Sequence, residues 1–414
     1  MRIAHLSWEY PPTVYGGLGR HVHALAEAQA ALGHHVTVIT QAAPDAPAEE
    51  TVAGVHILRA PETPPDLTFD TEHLLAWTLA LNHRLTSSAA DAWNRLRPDV
   101  IHAHDWLVAQ AAVNLSRIDG APIIATMHAT EAGRHQGWLP TPLSRSIHSI
   151  ESWLVSLAHG VITCSAHMES EVIRLFDVPA DSIAVIPNGV DTHRWSRRRS
   201  VGGAHQWKHD PGPLLVYCGR LEWEKGVHTL VEAVPRLRRR YPDIQVVIAG
   251  NGSQLDALHD LVKSRRLRRR VHFTGWLPER ELHSLLGEAD ALVVPSVYEP
   301  FGLVALEGAA LGTPLAVART GGLAEFAGAD VTALTFAPGD ATDLAQVVRS
   351  IIDDEPAAKR RSRAARRRLR ERHSWPALAS STVDFYTQAA QSRRAPRSSQ
   401  PQDLTVNLLQ APSA

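Results

Sequence analysis

The chain has 414 residues, 44% of them hydrophobic, and a formal net charge of −1. That is enough apolar material for two cores, and the balanced charge speaks against a primary nucleic-acid binder. Cys164 and Cys218 are the only cysteines, too few for a disulfide framework, and their apolar contexts read as inert core positions.

The N-terminus carries one basic residue and no long apolar stretch before Glu9, unlike a secretory signal. No run approaches the about 18 apolar residues a membrane helix needs, so a cytoplasmic protein without a transmembrane segment is expected. Residues 3–8 read as a first strand. A Pro-Pro loop and Gly16-Gly17-Leu18-Gly19 follow, then a helix over 20–32 closed by Gly33. Further strands are predicted at 35–40, 55–58, 99–102, 122–126 and 160–163, with a long helix over about 70–97. Residues 197–213 are charged, punctuated by Gly and Pro, and lack apolar period. Strands resume at 214–218, 244–249, 271–274, 291–294, 315–317 and 333–336. Such alternation implies parallel sheets with helices on both faces.

The fold class is therefore α/β, with two Rossmann-like domains facing a cleft at the strand ends. The divisions are 1–195, a linker at 196–213, 214–373, a helix over 374–391 expected to cross back to the first domain, and a disordered tail at 392–414. Helices over 343–354 and 356–372 close the second domain. The latter carries Lys359 and eight arginines, either a solvated face or a surface for an anionic partner such as a membrane.

Glu299-Pro-Phe-Gly-Leu-Val-Ala-Leu-Glu307 places two carboxylates eight positions apart, between a buried strand and a helix that Thr313-Pro314 ends. A helix N-terminus offers unpaired N–H groups to a phosphate, and Phe301, Gly302 and Leu303 are placed to supply them. Gly16 and Gly17 join the first strand to the first helix, the usual place for another phosphate cradle. They lack the dinucleotide fingerprint, because Val22 stands at the third glycine position and no acidic residue ends the second strand. A ligand-free tight turn is the other reading of this loop.

Arg220 and Lys225, five residues apart after a strand, suit a diphosphate; surface ion pairing is the alternative. No Gly-x-x-x-x-Gly-Lys-Ser/Thr motif occurs. His128 lies where a strand meets the cleft. Asp105 and Trp106 end another strand, where a carboxylate and an indole fit a sugar, unless Asp105 caps a helix. His102 and His104 with Asp105 have no evident third or fourth ligand, so no metal is expected, and no cofactor.

Together, the Glu-x7-Glu motif, Gly219-Arg220-Leu221 with Lys225-Gly226, Pro187-Asn-Gly-Val-Asp191 and Gly321-Gly322 with Glu325 resemble the retaining glycosyltransferases of family 4, with the GT-B fold. The resemblance spans roughly residues 1–390. Within that family, Ser7-Trp-Glu-Tyr-Pro-Pro12, Gly16-Gly-Leu-Gly19, His102-Ala-His-Asp-Trp106 and Thr126-Met-His128 are most similar to glycogen and starch synthases. The combination Gly17-Leu-Gly-Arg-His-Val22 is especially similar to actinobacterial α-1,4-glucosyltransferases of glucan or methylglucose polysaccharide synthesis. One departure is visible. Bacterial glycogen synthases carry Lys-x-Gly-Gly-Leu, whereas Val14-Tyr15 precede Gly16 here, so the basic residue is absent and the donor nucleotide stays open among UDP, ADP and GDP.

The resemblance implies a nucleotide-diphosphate sugar, such as UDP-glucose or ADP-glucose, and a glycan acceptor as partners. By it, Arg220 and Lys225 neutralise the departing diphosphate, helped by the Gly16–Gly17 loop, the amides of Phe301, Gly302 and Leu303, and Asn188. Glu299 lies beside the sugar and Glu307 at the ribose. His128 donates to a sugar hydroxyl or presents its backbone carbonyl to the anomeric carbon, and Asp105 and Trp106 contact sugar or acceptor. The departing phosphate deprotonates the acceptor, without a covalent enzyme intermediate. The alternative within the family is transfer of mannose or N-acetylglucosamine to a lipid or inositol-type acceptor, with helix 356–372 on a membrane.

Overall fold

The computed structural model describes residues 1–62, 67–196, 207 and 212–391. The predicted linker falls mostly outside these residues and the predicted tail wholly so. The strands are β1 (Arg2–Leu6), β2 (His35–Gln41), β3 (Glu49–Val52), β4 (Val55–Ala60), β5 (Val100–His104), β6 (Ile123–Met127), β7 (Gly160–Thr163) and β8 (Ile183–Val185) in the first half. The second half holds β9 (Leu214–Cys218), β10 (Gln245–Ala249), β11 (Val271–Gly275), β12 (Ala291–Val294), β13 (Leu315–Ala318) and β14 (Leu334–Phe336). The helices are α1 (Gly17–Ala31), α2 (Leu74–Leu96), α3 (Ala109–Asp119), α4 (Glu131–Arg134), α5 (Pro142–Leu157), α6 (Ala166–Phe176) and α7 (Val227–Arg240). They continue with α8 (Leu255–Ser264), α9 (Glu279–Glu288), α10 (Leu303–Leu311), α11 (Gly321–Ala327), α12 (Ala341–Asp353), α13 (Glu355–Arg372) and α14 (Trp375–Gln391).

Two sheets form, ordered β3-β4-β2-β1-β5-β6-β7-β8 and β11-β10-β9-β12-β13-β14. Every pairing is parallel except β3 with β4. The central strands are sealed on both faces, which is why they read as unbroken apolar runs. Strand β3 is the exception: Glu49-Glu-Thr-Val52 is polar, mostly exposed and lies at an edge, so periodicity did not announce it. Strand β1 ends at Leu6 rather than Trp8, and α1 begins at Gly17, so Gly17 and Gly19 form its first turn.

Local chemistry places the helices. Thr141 accepts from Ser144 N at 3.0 Å to start α5, with Pro142 in its first turn. Ser165 does the same for α6 through Met168 N at 3.2 Å. Helix α10 is apolar nearly all round because it is wedged between β12, β13 and α13. Arg366 donates to the carbonyls of Ala310 and Leu311 at the end of α10, and Arg368 to that of Glu325 in α11. Two of the α13 arginines therefore close neighbouring helix C-termini.

Helix α14 packs against α1 and β7, with Tyr386 and Phe385 buried beside Ile3, Val22, Ile124 and Ile162 of the first half. Gly160 admits it: a Cβ there would stand 2.7 Å from Phe385 Cζ.

Helix α5 also carries a buried acid. Glu151 accepts from Glu131 N at 2.9 Å, while its Oε2 has no hydrogen-bond partner among the described residues and lies 3.9 Å from His148 Nδ1. Burial pushes its carboxyl up to about 8. The folded state thus holds this proton more tightly than the unfolded chain. Its contribution to stability is full below the ordinary carboxyl range and is lost as pH rises toward about 8. Glu151→Gln is expected to flatten that loss, raising the thermal unfolding midpoint more at pH 8 than at pH 5; an equal shift at both would contradict it.

Candidate active site

The seam between the halves is built around the turn before α10. Gly302 has φ +99°, and a Cβ on it would collide with the Leu323 side chain, so glycine is required for both conformation and space. Gly321 and Gly322 press on the same turn. Gly322 N donates to Glu299 O at 3.1 Å, and a Cβ on Gly322 would stand 2.6 Å from Phe301 Cα. The paired glycines thus fix the carbonyl side of Glu299. The N–H groups of Phe301, Gly302 and Leu303 have no partner among the described residues, the state expected of an anion-binding helix start.

Lys225 comes from a single 3-10 turn, Trp223–Lys225, after β9. Glu224 O accepts from Val297 N at 2.8 Å and Tyr298 N at 3.2 Å, which ties this turn to the loop after β12. Lys225 Nζ consequently reaches Glu299 Oε2 at 2.8 Å, and Ser296 Oγ donates to the same oxygen at 3.0 Å. Both side chains of the pair are largely buried. Arg220 stays half-exposed and lies 3.3 Å from Glu224 Oε1.

At the far end, Glu307 is buried, and burial raises its carboxyl against the opposing charge of Arg20. Arg20, one turn into α1, donates to its Oε1 across the seam. Glu307 Oε2 is sealed and has no partner among the described residues. Arg20 stands within the glycine-loop motif but was assigned no role from the sequence, because its partner lies 287 positions away.

The glycine loop behaves differently from expectation. Its N–H groups at Tyr15, Gly16 and Gly19 donate to the carboxylate of Glu9, which is buried and raised by that burial. The chain's own acid fills the cradle where Gly16 was expected to serve a ligand phosphate. Gly17 N–H is left without a partner among the described residues, and its Cα faces Leu303, whose Cδ1 would lie 2.9 Å from a Cβ there.

Asp105 is not the side-chain cap of a helix. It sits at φ 60°, ψ 177°, backbone space almost reserved for glycine and costing about 1–3 kcal/mol. Its Oδ1 accepts from His128 N at 2.7 Å, and burial pushes the carboxyl up to about 7. Trp106 is half-buried against the first core. Asn188, expected at the donor, is buried; its Oδ1 lies 2.7 Å from His21 Nδ1 and its O accepts from His373 Nδ1 at 2.9 Å. His128 Nε2 lies 3.2 Å from His104 Nδ1. Two histidine triplets, His5 with His102 and His104 and His21 with His104 and His128, bring ring nitrogens within 4.8 Å, a convergence not seen in the sequence.

Other contacts cross the seam. Tyr298 donates to Glu171 at 2.8 Å and accepts from Thr130 N at 3.2 Å. Glu325 caps the start of α6 through His167 N at 2.8 Å, and Arg134 lies 3.9 Å from Glu224.

Residues 15–194 match the family model described as Glycosyltransferase Family 4, and residues 205–368 that described as Glycosyl transferases group 1. The glycogen synthase of Mycobacterium tuberculosis H37Rv is 46% identical, over 96% of this chain and 97% of that one. The chain belongs to the family 4 glycosyltransferases. Another relative is the alpha-maltose-1-phosphate synthase of the same strain, 28% identical over 93% of this chain and 99% of its own. Among solved structures, the sucrose-phosphate synthase from Thermosynechococcus elongatus superposes with a TM-score of 0.78 at 25% identity, covering 93% of this chain and 98% of that one. The two facing sheets are thus the GT-B arrangement. In this glycosyltransferase the structure brings Lys225 to Glu299 and Arg20 to Glu307 on either side of the α10 start. It keeps Asp105 and His128 together on the opposite half. No helix among the described residues is long and apolar enough to cross a membrane.

Proposed function

We propose that this enzyme transfers a glucosyl unit, with retention, from a nucleotide-diphosphate glucose to the end of an α-glucan, forming α-1,4 links. The observation that carries the proposal is the α10 start: free N–H groups flanked by the Lys225–Glu299 pair on one side and Glu307 on the other. The near-full-length likeness to a glycogen synthase supports glucose and glucan as substrates.

The α10 amides would receive the diphosphate, with Lys225 and half-exposed Arg220 supplying positive charge as the bond from C1 to the phosphate oxygen breaks. Glu299, freed from Lys225 as the lysine turns to phosphate, would accept from sugar hydroxyls. The orphaned Glu307 Oε2 would accept from a ribose hydroxyl, a charge-assisted contact. The acceptor hydroxyl attacks C1 on the face the phosphate leaves, and its proton passes to a phosphate oxygen. No metal and no other cofactor enters this scheme.

A donor screen tests the reading: UDP-, ADP- and GDP-sugars with maltooligosaccharides, following nucleotide release and chain length. The expected result is release with a glucose donor, coupled to chains extended by α-1,4-linked residues. Release only with mannose or N-acetylglucosamine donors and an inositol-type or lipid acceptor would replace it with the alternative within the family.

A further inference from the structure

Strand register assembles a buried hydrogen-bonded chain of side chains behind His128. Pairing of β1 with β5 sets His5 opposite His102, and pairing of β5 with β6 sets His104 opposite Thr126. His102 and His104, two apart on one strand, share a face of the sheet. The chain begins at Thr126, whose Oγ1 lies 2.6 Å from His102 Nε2, and His102 Nδ1 lies 2.6 Å from Tyr386 Oη. Gln29 Nε2 donates to Tyr386 Oη at 3.1 Å, and Gln29 Oε1 lies 2.7 Å from His5 Nε2. His5 Nδ1 lies 3.0 Å from His104 Nε2, and His104 Nδ1 3.2 Å from His128 Nε2.

A neutral imidazole has one N–H donor and one bare acceptor, and burial keeps these rings neutral. His5 is pushed down to about 4, His128 to about 3, and His102 and His104 well below the ordinary range. The direction chosen at Gln29 therefore passes down the whole chain. With the amide oxygen toward His5, His5 Nε2 bears the proton and its Nδ1 accepts from His104 Nε2–H. His104 Nδ1 in turn accepts from His128 Nε2–H. Turning the amide over would reverse every link.

The distances favour the first direction. A separation of 3.1 Å between Gln29 and Tyr386 suits N–H···O and is longer than the roughly 2.5–3.0 Å of O–H···O. With Gln29 donating to it, Tyr386 turns its O–H to His102 Nδ1, and His102 Nε2–H then donates to Thr126 Oγ1. His128 Nδ1 is then bare, has no partner among the described residues, and belongs to a partly exposed ring. That ring lies two residues before Thr130, which touches Tyr298 across the seam.

We infer that Gln29 and Tyr386 are positioning residues: through His5 and His104 they fix His128 with its proton on Nε2 and its Nδ1 as a hydrogen-bond acceptor. This reverses the donor role expected for the His128 side chain, which would instead accept from a hexose hydroxyl. The reversed role toward sugar rests on the proposed glucosyl transfer; the tautomer itself does not.

The test is long-range ¹H–¹⁵N NMR of the full chain labelled at histidine, with the His128 signals assigned by difference from His128→Gln. The expected spectrum has a protonated Nε2 and a bare Nδ1. Gln29→Leu should shift His128 toward the other tautomer. It should lower kcat about tenfold, as follows if the required form falls to a tenth of the population, with the donor KM unchanged. Gln29→Glu, whose protonated carboxyl can make the same two bonds, should restore both readouts. If Gln29→Leu does not fold, Tyr386→Phe removes the other anchor and should move the same signals. A proton on Nδ1 in the parent protein overturns the inference, as do an unchanged tautomer in the folded variants and His104 and His128 signals that a chelator displaces. If the tautomer responds as stated but no sugar donor is used, the proposed activity fails and the relay stands.

Discussion

Lys225→Ala is expected to lower kcat for glycosyl transfer about 10²–10³-fold, with a smaller change in donor KM, because it deletes a preorganised cation at the departing phosphate. Lys225 is held in place twice over, by its short 3-10 turn and by Glu299 at 2.8 Å. A flexible surface lysine would lose most of its rotamer freedom on binding; this one is already confined to the site, and only its tip has to turn from Glu299 to the phosphate. The substitution also strands Glu299 with Ser296 as its remaining side-chain partner, so Glu299→Ala and the double variant should be far from additive. Steady-state nucleotide release beside an unfolding curve separates lost chemistry from lost fold. A kcat within about threefold of the parent would remove Lys225 from the mechanism.

Gly321→Ala is the second large effect. The residue has φ +46°, and its Cβ would land on the backbone carbonyl of Glu299. A carbonyl cannot swing aside like a side-chain tip, so the turn itself must move. Left-handed strain and overpacking together should cost roughly 2–4 kcal/mol of stability. Displacing Glu299 and the α10 amides by about 1 Å should cost on the order of 10²-fold in rate. Chemical denaturation and kinetics on one preparation check both. A variant as stable as the parent would mean that the turn yields more easily than its packing implies.

What could be read from the sequence follows from what periodicity encodes. The apolar runs of β9, β10 and β12 announced buried parallel strands, and Glu299 to Glu307 announced a strand, a turn and a helix start, because those signals are local. Partners far apart in sequence were not legible. Nothing near Arg20 points to Glu307, and nothing near Gly16 says that Glu9 will turn back into the loop. His5 meets His104 only once strand order sets β1 beside β5. Asp105 showed its residue type but not its backbone angle, which is why a helix cap was a reasonable reading of it. Asn188 and Gly16 were found as motif members; the structure shows the Asn188 oxygens and the Gly16 N–H bonded within the protein.

The place of α14 has a consequence for how the chain is made. The first sheet is finished by Phe385, Tyr386 and Ala389, which a ribosome reaches only after synthesising the strands and helices of the second half. At roughly 5–20 residues per second, about 10–40 s separate residue 195 from residue 386. Through that interval His102 and Gln29 lack their phenol, and the groove along Gly160 lies open. The nascent first half thus waits on α14, and a single late event completes both its hydrophobic packing and the hydrogen-bond order behind His128.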